Sequence, residues 1–301
     1  MDIQTLRDFV AVVQEEGISA AADVLRISQP TLSRRIRELE KQLGVLLFTR
    51  GNRAHGIELT AEGVVFYRRA REIVELADRA REEVHRRARV EGPVHIAAAQ
   101  SNVMEVVGRA ATRTRMLHPG VTFRLHDDYG ANNAERLDNG LADFAVLVQP
   151  VDMGHYDHLP LPGGEAMGVV MRADDPLTAR GSITPDVLQE LPLMVPRGSL
   201  DRRDISGWSM QGTNAKPYDV IGTMNLSYNA SRFVRAGFGY ELCLEGTVDT
   251  SPDSGLAFLP LEPELHVRLS IAWRRGRTLS APAEAFLGEL RKVVAGSSSL
   301  L

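Results

Sequence analysis

The chain has 301 residues, 44% of them hydrophobic and 25% charged, with a formal net charge of −4. That length predicts two or three domains, each with its own core, and the composition is that of a globular protein rather than a disordered one. No apolar run is long enough to span a bilayer, and the opening residues MDIQTLRDF lack the cationic and apolar regions of a signal peptide, so a cytoplasmic location and no membrane partner are expected. The single cysteine, Cys243, excludes intramolecular disulfides and cysteine-rich zinc sites; it reads as a buried structural thiol before a redox sensor, having no partner in the chain.

The first readable elements lie in residues 19–50, SAAADVLRISQPTLSRRIRELEKQLGVLLFTR. Ala20, Ala21, Val24 and Leu25 give a short helix a small packing face, and Ala21 with Ala22 lets another helix approach closely. Ser28 reads as the N-cap of the next helix, with Pro30 in its first turn, where a missing N–H costs little. Leu32, Ile36, Leu39 and Leu43 then form one apolar seam, and Gly44 suits a left-handed end. At about 100° per residue, Pro30, Arg34, Arg37 and Lys41 point away from that seam, with Ser33 to one side. Residues 26–53 hold seven arginines and lysines against two glutamates, a net +5 within an acidic chain. Such a cationic island is the footprint of a phosphate-binding surface.

Phe48 is expected to plug the core of this small domain. Arg50, Arg53 and His55 lie in or beside GNRAHG, residues 51–56, which reads as a hairpin tip. Thr60 caps a long helix, with Glu62 near its positive end. Along that helix Phe66, Ala70, Ile73, Ala77, Ala80 and Val84 alternate spacings of four and three, a heptad seam. The seam suits packing on its own domain or pairing with a second copy; the charges crowding its flanks favour dimerisation.

The run ISQPTLSRRIRELEKQLGVLLFTR, followed by LTAEG at 59–63, resembles the winged helix-turn-helix of LysR-type transcriptional regulators, a likeness covering roughly the first 90 residues. The resemblance implies a domain over 1–60 that binds double-stranded DNA through Ser28, Gln29, Pro30, Thr31, Ser33, Arg34 and Arg37. It also implies a wing carrying Arg50 and Arg53, with Arg53 reaching the adjacent backbone or minor groove and Arg50 serving either that contact or the fold. Glu16-Gly17 departs from the family's usual Gly-Ser, which weakens one N-cap without touching an expected base contact. A linker and dimerisation helix over 61–91 follows. A homodimer on an interrupted inverted repeat, further assembly to a homotetramer, and RNA polymerase as partner of an activator are the corresponding expectations.

Glu91-Gly92-Pro93 is a linker signal. Beyond it strands at 94–99, 121–126 and 142–148 alternate with helices at about 102–117 and 131–139. A second set runs from GVVMR at 168–172 through LPLMVP, YDVIGT and a helix near 226–236 that Gly237 and Gly239 end. The chain returns at VRLSIAWRR, 267–275, and closes with a helix at about 282–295. The alternation predicts parallel α/β sheet.

These two lobes, about 92–165 with 267–296 and about 166–266, resemble the effector-binding domain of the same family, a type II periplasmic-binding-protein-like fold. The chain is therefore expected to be α/β overall. Ligands of such folds lie beyond the carboxyl ends of strands. That rule selects Gln100, Ser101, Asn102, Gly130, Ala131, Asn132, Arg197, Gly198, Ser199, Asn225 and Tyr228. Hydroxyls, amides and backbone N–H groups suit a small, anionic effector, although each residue alone also reads as a plain helix cap.

His126-Asp127-Asp128 and the pair His155 and His158 read as solvated loop residues rather than a metal site, and no cofactor is expected. No HExxH, phosphate-binding Walker loop, GxGxxG or GxSxG element stands in a supporting context, so no enzyme activity is expected. A solute-binding protein on the same two-lobed fold would have no use for the basic helix. An enzyme fused to a DNA-binding module would need a catalytic constellation absent from the sequence pattern.

Overall fold

The computed structural model describes residues 1–49, 58–85, 90–199, 203–212 and 217–297. The chain divides into two compact units, residues 1–87 and 88–301.

The first unit is helical. Helix α1 (Ile3–Gln14) is capped by Asp2, α2 (Ile18–Leu25) starts at Gly17 without a side-chain cap, and α3 (Gln29–Leu43) ends at Gly44 in the left-handed region, φ 72°. Ser28 caps α3 as its sequence predicts, its hydroxyl accepting the Thr31 N–H at 3.4 Å. Leu32, Ile36 and Leu39 bury the seam of α3 against Phe9, Val12 and Ala21. Leu47 is the fully buried plug behind α3; Phe48 is half-buried, 5.4 Å from the Phe9 ring. Glu40 holds the turn between, its Oε1 accepting the Leu47 N–H at 2.8 Å.

The LTAEG motif has a local reason. Thr60 Oγ1 accepts the Gly63 N–H at 2.9 Å and donates to the Leu46 carbonyl at 2.7 Å, starting α4 (Ala61–His85) against the end of the helix-turn-helix. A Cβ on Gly63 would collide with the Leu47 carbonyl oxygen, so only glycine lets the two segments close.

Part of the heptad seam on α4 turns inward. Ala70 is fully buried and Phe66 lies 5.2 Å from the Phe9 ring, both packed on α1, and Arg7 of α1 pairs with Asp78. Ile73 and Ala80 remain exposed and Ala77 is half-buried, whereas the Val84 side chain lies outside the described residues.

The second unit holds two sheets. In chain order its first elements are β1 (Gly92–Ala98), α5 (Met104–Leu117), β2 (Val121–Asp127), α6 (Gly130–Asp138), β3 (Phe144–Val148) and β4 (Tyr156–Pro160). Next come β5 (Glu165–Arg172), α7 (Pro185–Leu188), β6 (Pro192–Pro196), α8 (Arg203–Ser209), β7 (Asp219–Met224), α9 (Ser227–Arg235), β8 (Tyr240–Leu244) and β9 (Leu256–Pro260). The chain closes with β10 (His266–Val267), β11 (Leu269–Arg274) and α10 (Ala281–Ser297).

One sheet has the order β2-β1-β3-β11-β4 and the other β10-β5-β8-β6-β7, with β9 paired to β5. The chain leaves the first sheet after β4 and returns at β11, within a few residues of the expected crossovers.

The expected parallel arrangement holds only in part. β2-β1-β3 and β8-β6-β7 are parallel, but β11 runs antiparallel to β3 and β4, and β5 antiparallel to β8, β9 and β10.

Candidate functional sites

The first candidate site is the outer face of α3. Ser28, Gln29, Pro30, Arg34, Arg37 and Lys41 are exposed and Thr31 and Ser33 half-exposed, so the predicted DNA-facing set shares one surface. Among the described residues no carboxylate pairs with Arg34 or Arg37; Arg37 Nε donates to the Ser33 carbonyl at 3.2 Å. Arg35 faces the other way, its Nη1 2.7 Å from Oδ2 of Asp8, a fully buried carboxylate that also accepts from Gln4 at 3.0 Å. The helix thus presents outward two guanidinium groups that no carboxylate of the described residues pairs with, and anchors itself with a third. Arg50 and Arg53 lie outside the described residues.

The second candidate site is a cavity of about 280 Å³ between the two sheets of the second unit. Gln100, Gly130, Ala131, Arg197, Gly198, Ser199 and Asn225 line it, as the strand-end rule selected. Ser101, Asn102, Asn132 and Tyr228 do not. Asn102 Nδ2 donates to the Glu245 carbonyl at 2.9 Å, Asn132 Nδ2 to Asp128 Oδ2 at 2.7 Å, and Ser101 Oγ to the Ala99 carbonyl at 3.4 Å. Tyr228 is exposed, with the Arg232 guanidinium 4.8 Å from its ring centre.

A carboxylate of the protein already occupies the start of α5. Glu165 on β5 accepts the Val103 N–H at 2.8 Å, and burial raises its pKa above the ordinary carboxylate value. The first turn after β1 is therefore closed to a foreign anion, which explains why Ser101 and Asn102 fall outside the cavity lining.

The remaining polar groups converge. The first-turn N–H groups of α6 have no side-chain cap, and Gly130 and Ala131 lie on the wall. Across from them Arg197 rests 5.9 Å from the Tyr129 ring centre, joining the two lobes by a cation–π contact. Ser199 is 6% exposed and its hydroxyl has no hydrogen-bond partner. Gln100 Oε1 accepts the Ser227 N–H at 2.9 Å, tying the end of β1 to the start of α9. Val148, Pro150, Met167, Ile205 and Leu244 supply the apolar part of the wall, and Asp128, which holds the Asn132 amide at 2.7 Å, adds a carboxylate to it.

Sequence reasoning missed Tyr129, Ser227 and the contribution of β8, whose end supplies Cys243, Leu244 and the nearby Thr247. The signal was available, because Gly237 and Gly239 end a helix and YELCL follows as a strand-length run. Cys243 is buried and its thiol pKa is pushed well up by burial, with the nearby Glu241 adding to it. His126 Nε2 stands 3.9 Å from Asp128 Oδ2, and among the described residues no three His, Cys, Asp or Glu side chains are grouped to hold a metal ion. No helix among them is long and apolar enough to cross a membrane.

These two sites match known proteins separately and together. Residues 3–64 match the family model for the bacterial regulatory helix-turn-helix protein, lysR family, and residues 87–295 match the LysR substrate binding domain. The chain is 28% identical over 287 residues to the Hca operon transcriptional activator HcaR of Escherichia coli K12, covering 92% of this chain and 93% of that protein. The structure of CbnR, a LysR family transcriptional regulator, aligns with a TM-score of 0.72 at 21% identity, over 98% of this chain and 99% of CbnR. Full-length CbnR complexed with its target DNA aligns with a TM-score of 0.66 at 20% identity, over 97% of this chain and 100% of CbnR. At such identities both structures bear on the fold alone. The outward arginines of α3, the interlobe cavity and the two family matches agree: the chain belongs to the LysR family, whose members are DNA-binding transcriptional regulators with an effector-binding domain, not enzymes.

Proposed function

We propose that this regulator binds an interrupted inverted repeat as a cytoplasmic homodimer, assembled further into a tetramer, and responds to a small anionic effector held between its lobes. The observation that carries the DNA reading is the exposed, uncompensated pair Arg34 and Arg37 on a helix anchored from behind by Arg35 and Asp8. Ser28, Gln29, Pro30, Thr31 and Ser33 supply hydrogen-bonding and apolar contacts beside them. For an activator, RNA polymerase is the further partner.

Dimerisation through α4 is supported by its exposed apolar side chains Val64, Val65, Ile73 and Leu76, which a second copy would cover. The seam accordingly shifts outward from Ala70, which is already buried, and Phe66, which is half-buried against α1.

An anionic effector is supported by Arg197, the uncapped start of α6 and the unpartnered Ser199 hydroxyl; the one carboxylate of the same wall, Asp128, is engaged by the Tyr129 N–H and the Asn132 amide. Its differential affinity for two arrangements of the assembly is what would alter transcription.

Selection of bound genomic fragments by the full-length protein tests the reading. Enriched fragments sharing an interrupted inverted repeat, lost with Arg34→Ala, would support it. Fragments with no shared repeat, equally enriched by the variant, would overturn it.

A further inference from the structure

Glu241 sits where a carboxylate is least expected, on β8 between β5 and β6, paired with Val170 and Met194. It is wholly buried, and neither carboxyl oxygen has a hydrogen-bond partner within bonding distance. Two of its neighbours are cavity residues. Cys243, two positions along the same face of β8, lines the wall, and the Ser227 hydroxyl, at the start of α9, acts on the carboxyl group and offsets part of the effect of its burial. Ser227 is also the residue whose N–H meets Gln100 across the lobes. Around Glu241, β5 and β6 present Val170 and Met194 and α9 presents Ser227. Among the described residues the Cys243 thiol is the only other titratable group acting on it. No cation faces it.

We propose that Glu241 is the proton-binding residue beneath the effector cavity, so that an anionic effector is taken up only by the form in which Glu241 is neutral. The inference rests on the anionic-effector reading above. Its physical basis is like-charge repulsion across a region with little water: an anion on the cavity wall and an ionised carboxylate directly behind Ser227 disfavour each other. Burial pushes the Glu241 pKa up to about 8, so the group passes from neutral to charged just above physiological pH. Below that pH the proton is already in place and affinity does not depend on pH. Above it, binding must recover the proton, and the dissociation constant rises by up to about tenfold per pH unit. Glu241 touches no ligand in this account; it is a positioning residue acting through charge.

The test is isothermal titration of the full-length protein with two carboxylate probes, cyclohexanecarboxylate and hexanoate, between pH 6.5 and pH 9 on the order of a unit of steps apart. Parent protein should bind with constant affinity up to about pH 7.5 and lose about tenfold between pH 7 and pH 9. Glu241→Gln, which keeps the shape and removes the charge, should bind with one affinity throughout; Glu241→Met provides a second neutral side chain should the amide perturb the strand. Equal pH profiles for parent and both neutral variants would overturn the role of Glu241 and leave the anionic cavity standing. Failure of the parent to bind either probe at any pH would overturn the anionic-effector reading, and the proton linkage with it.

Discussion

Arg35 of α3 reaches back 2.7 Å to Asp8 of α1, a carboxylate without solvent exposure, and so fixes the angle at which Arg34 and Arg37 leave the surface. Neighbouring arginines in one helix therefore serve opposite ends of the same task. Breaking a buried pair by removing one partner is costly, because the other charge is left without compensation. Arg35 is itself partly exposed, which screens the loss. Arg35→Ala should reduce stability by about 1–3 kcal/mol, read as a lower denaturation midpoint, and should weaken binding to specific and nonspecific DNA alike. A variant with unchanged midpoint and unchanged binding would show that the pair does not hold the helix.

Arg34→Ala should behave differently. Its side chain supports no internal contact among the described residues, so folding stability should stay within about 0.5 kcal/mol of the parent. Specific binding should fall by about 1–3 kcal/mol, with discrimination relaxed at one base position of each half-site. Fluorescence anisotropy with operator and scrambled duplexes separates these outcomes. Loss of equal size on both duplexes would reduce Arg34 to a phosphate contact.

The recognition helix was legible because every local signal there agrees: the Ser28 cap, Pro30, the Leu32-Ile36-Leu39 seam and Gly44 all stand as the residues predict. The cavity was legible at the strand ends of β1, β2, β6 and β7, where short polar residues follow apolar runs. It was fainter at β8, where a strand-length run follows Gly239 but Glu241 interrupts a central strand that should read as continuously apolar. The edge strand β4, YDHLP, was hidden for another reason: it is half-polar, since an edge needs little apolar surface. The reach of Glu165 to the start of α5 joins positions 62 residues apart, which no local pattern reveals. The inward turn of Phe66 and Ala70 was equally hidden, because a heptad spacing does not say which partner covers it.

That ambiguity on α4 can be settled by charge. Ile73→Glu and Leu76→Glu place carboxylates on exposed positions and should shift sedimentation velocity profiles toward smaller species, with thermal unfolding of the first unit little changed. Ala70→Glu forces a charge into the contact with α1 and should unfold that unit at a cost of about 4 kcal/mol or more. An unaltered assembly in both exposed variants would place the dimer interface elsewhere.

Glu241 also predicts a pH dependence of stability without any ligand. Its folded pKa of about 8 lies above the ordinary carboxylate value of 4.5, so the native state binds more protons than the unfolded one between those values. Stability contributed by this group is therefore complete below the lower value and declines as pH rises toward the upper one. At about 1.4 kcal/mol per pH unit, the loss by pH 7 is on the order of 3 kcal/mol. Denaturation midpoints of the parent should fall across this window more steeply than those of Glu241→Gln. Parallel slopes would mean that Glu241 is not neutral in the folded protein.

Ser199 gives a prediction in which stability and affinity move oppositely. Its buried hydroxyl makes no hydrogen bond, so the folded protein already bears the cost of withdrawing it from water, about 1–3 kcal/mol. Ser199→Ala removes that cost and should leave the unliganded protein as stable as the parent or more so. In the liganded state the hydroxyl gains a partner, and the alanine variant should bind carboxylate probes about 5- to 30-fold more weakly, the equivalent of one charge-assisted hydrogen bond. Thermal unfolding with and without cyclohexanecarboxylate reads both quantities at once. A variant destabilised without ligand, and stabilised by ligand as much as the parent, would mean that the hydroxyl serves the fold and not the cavity.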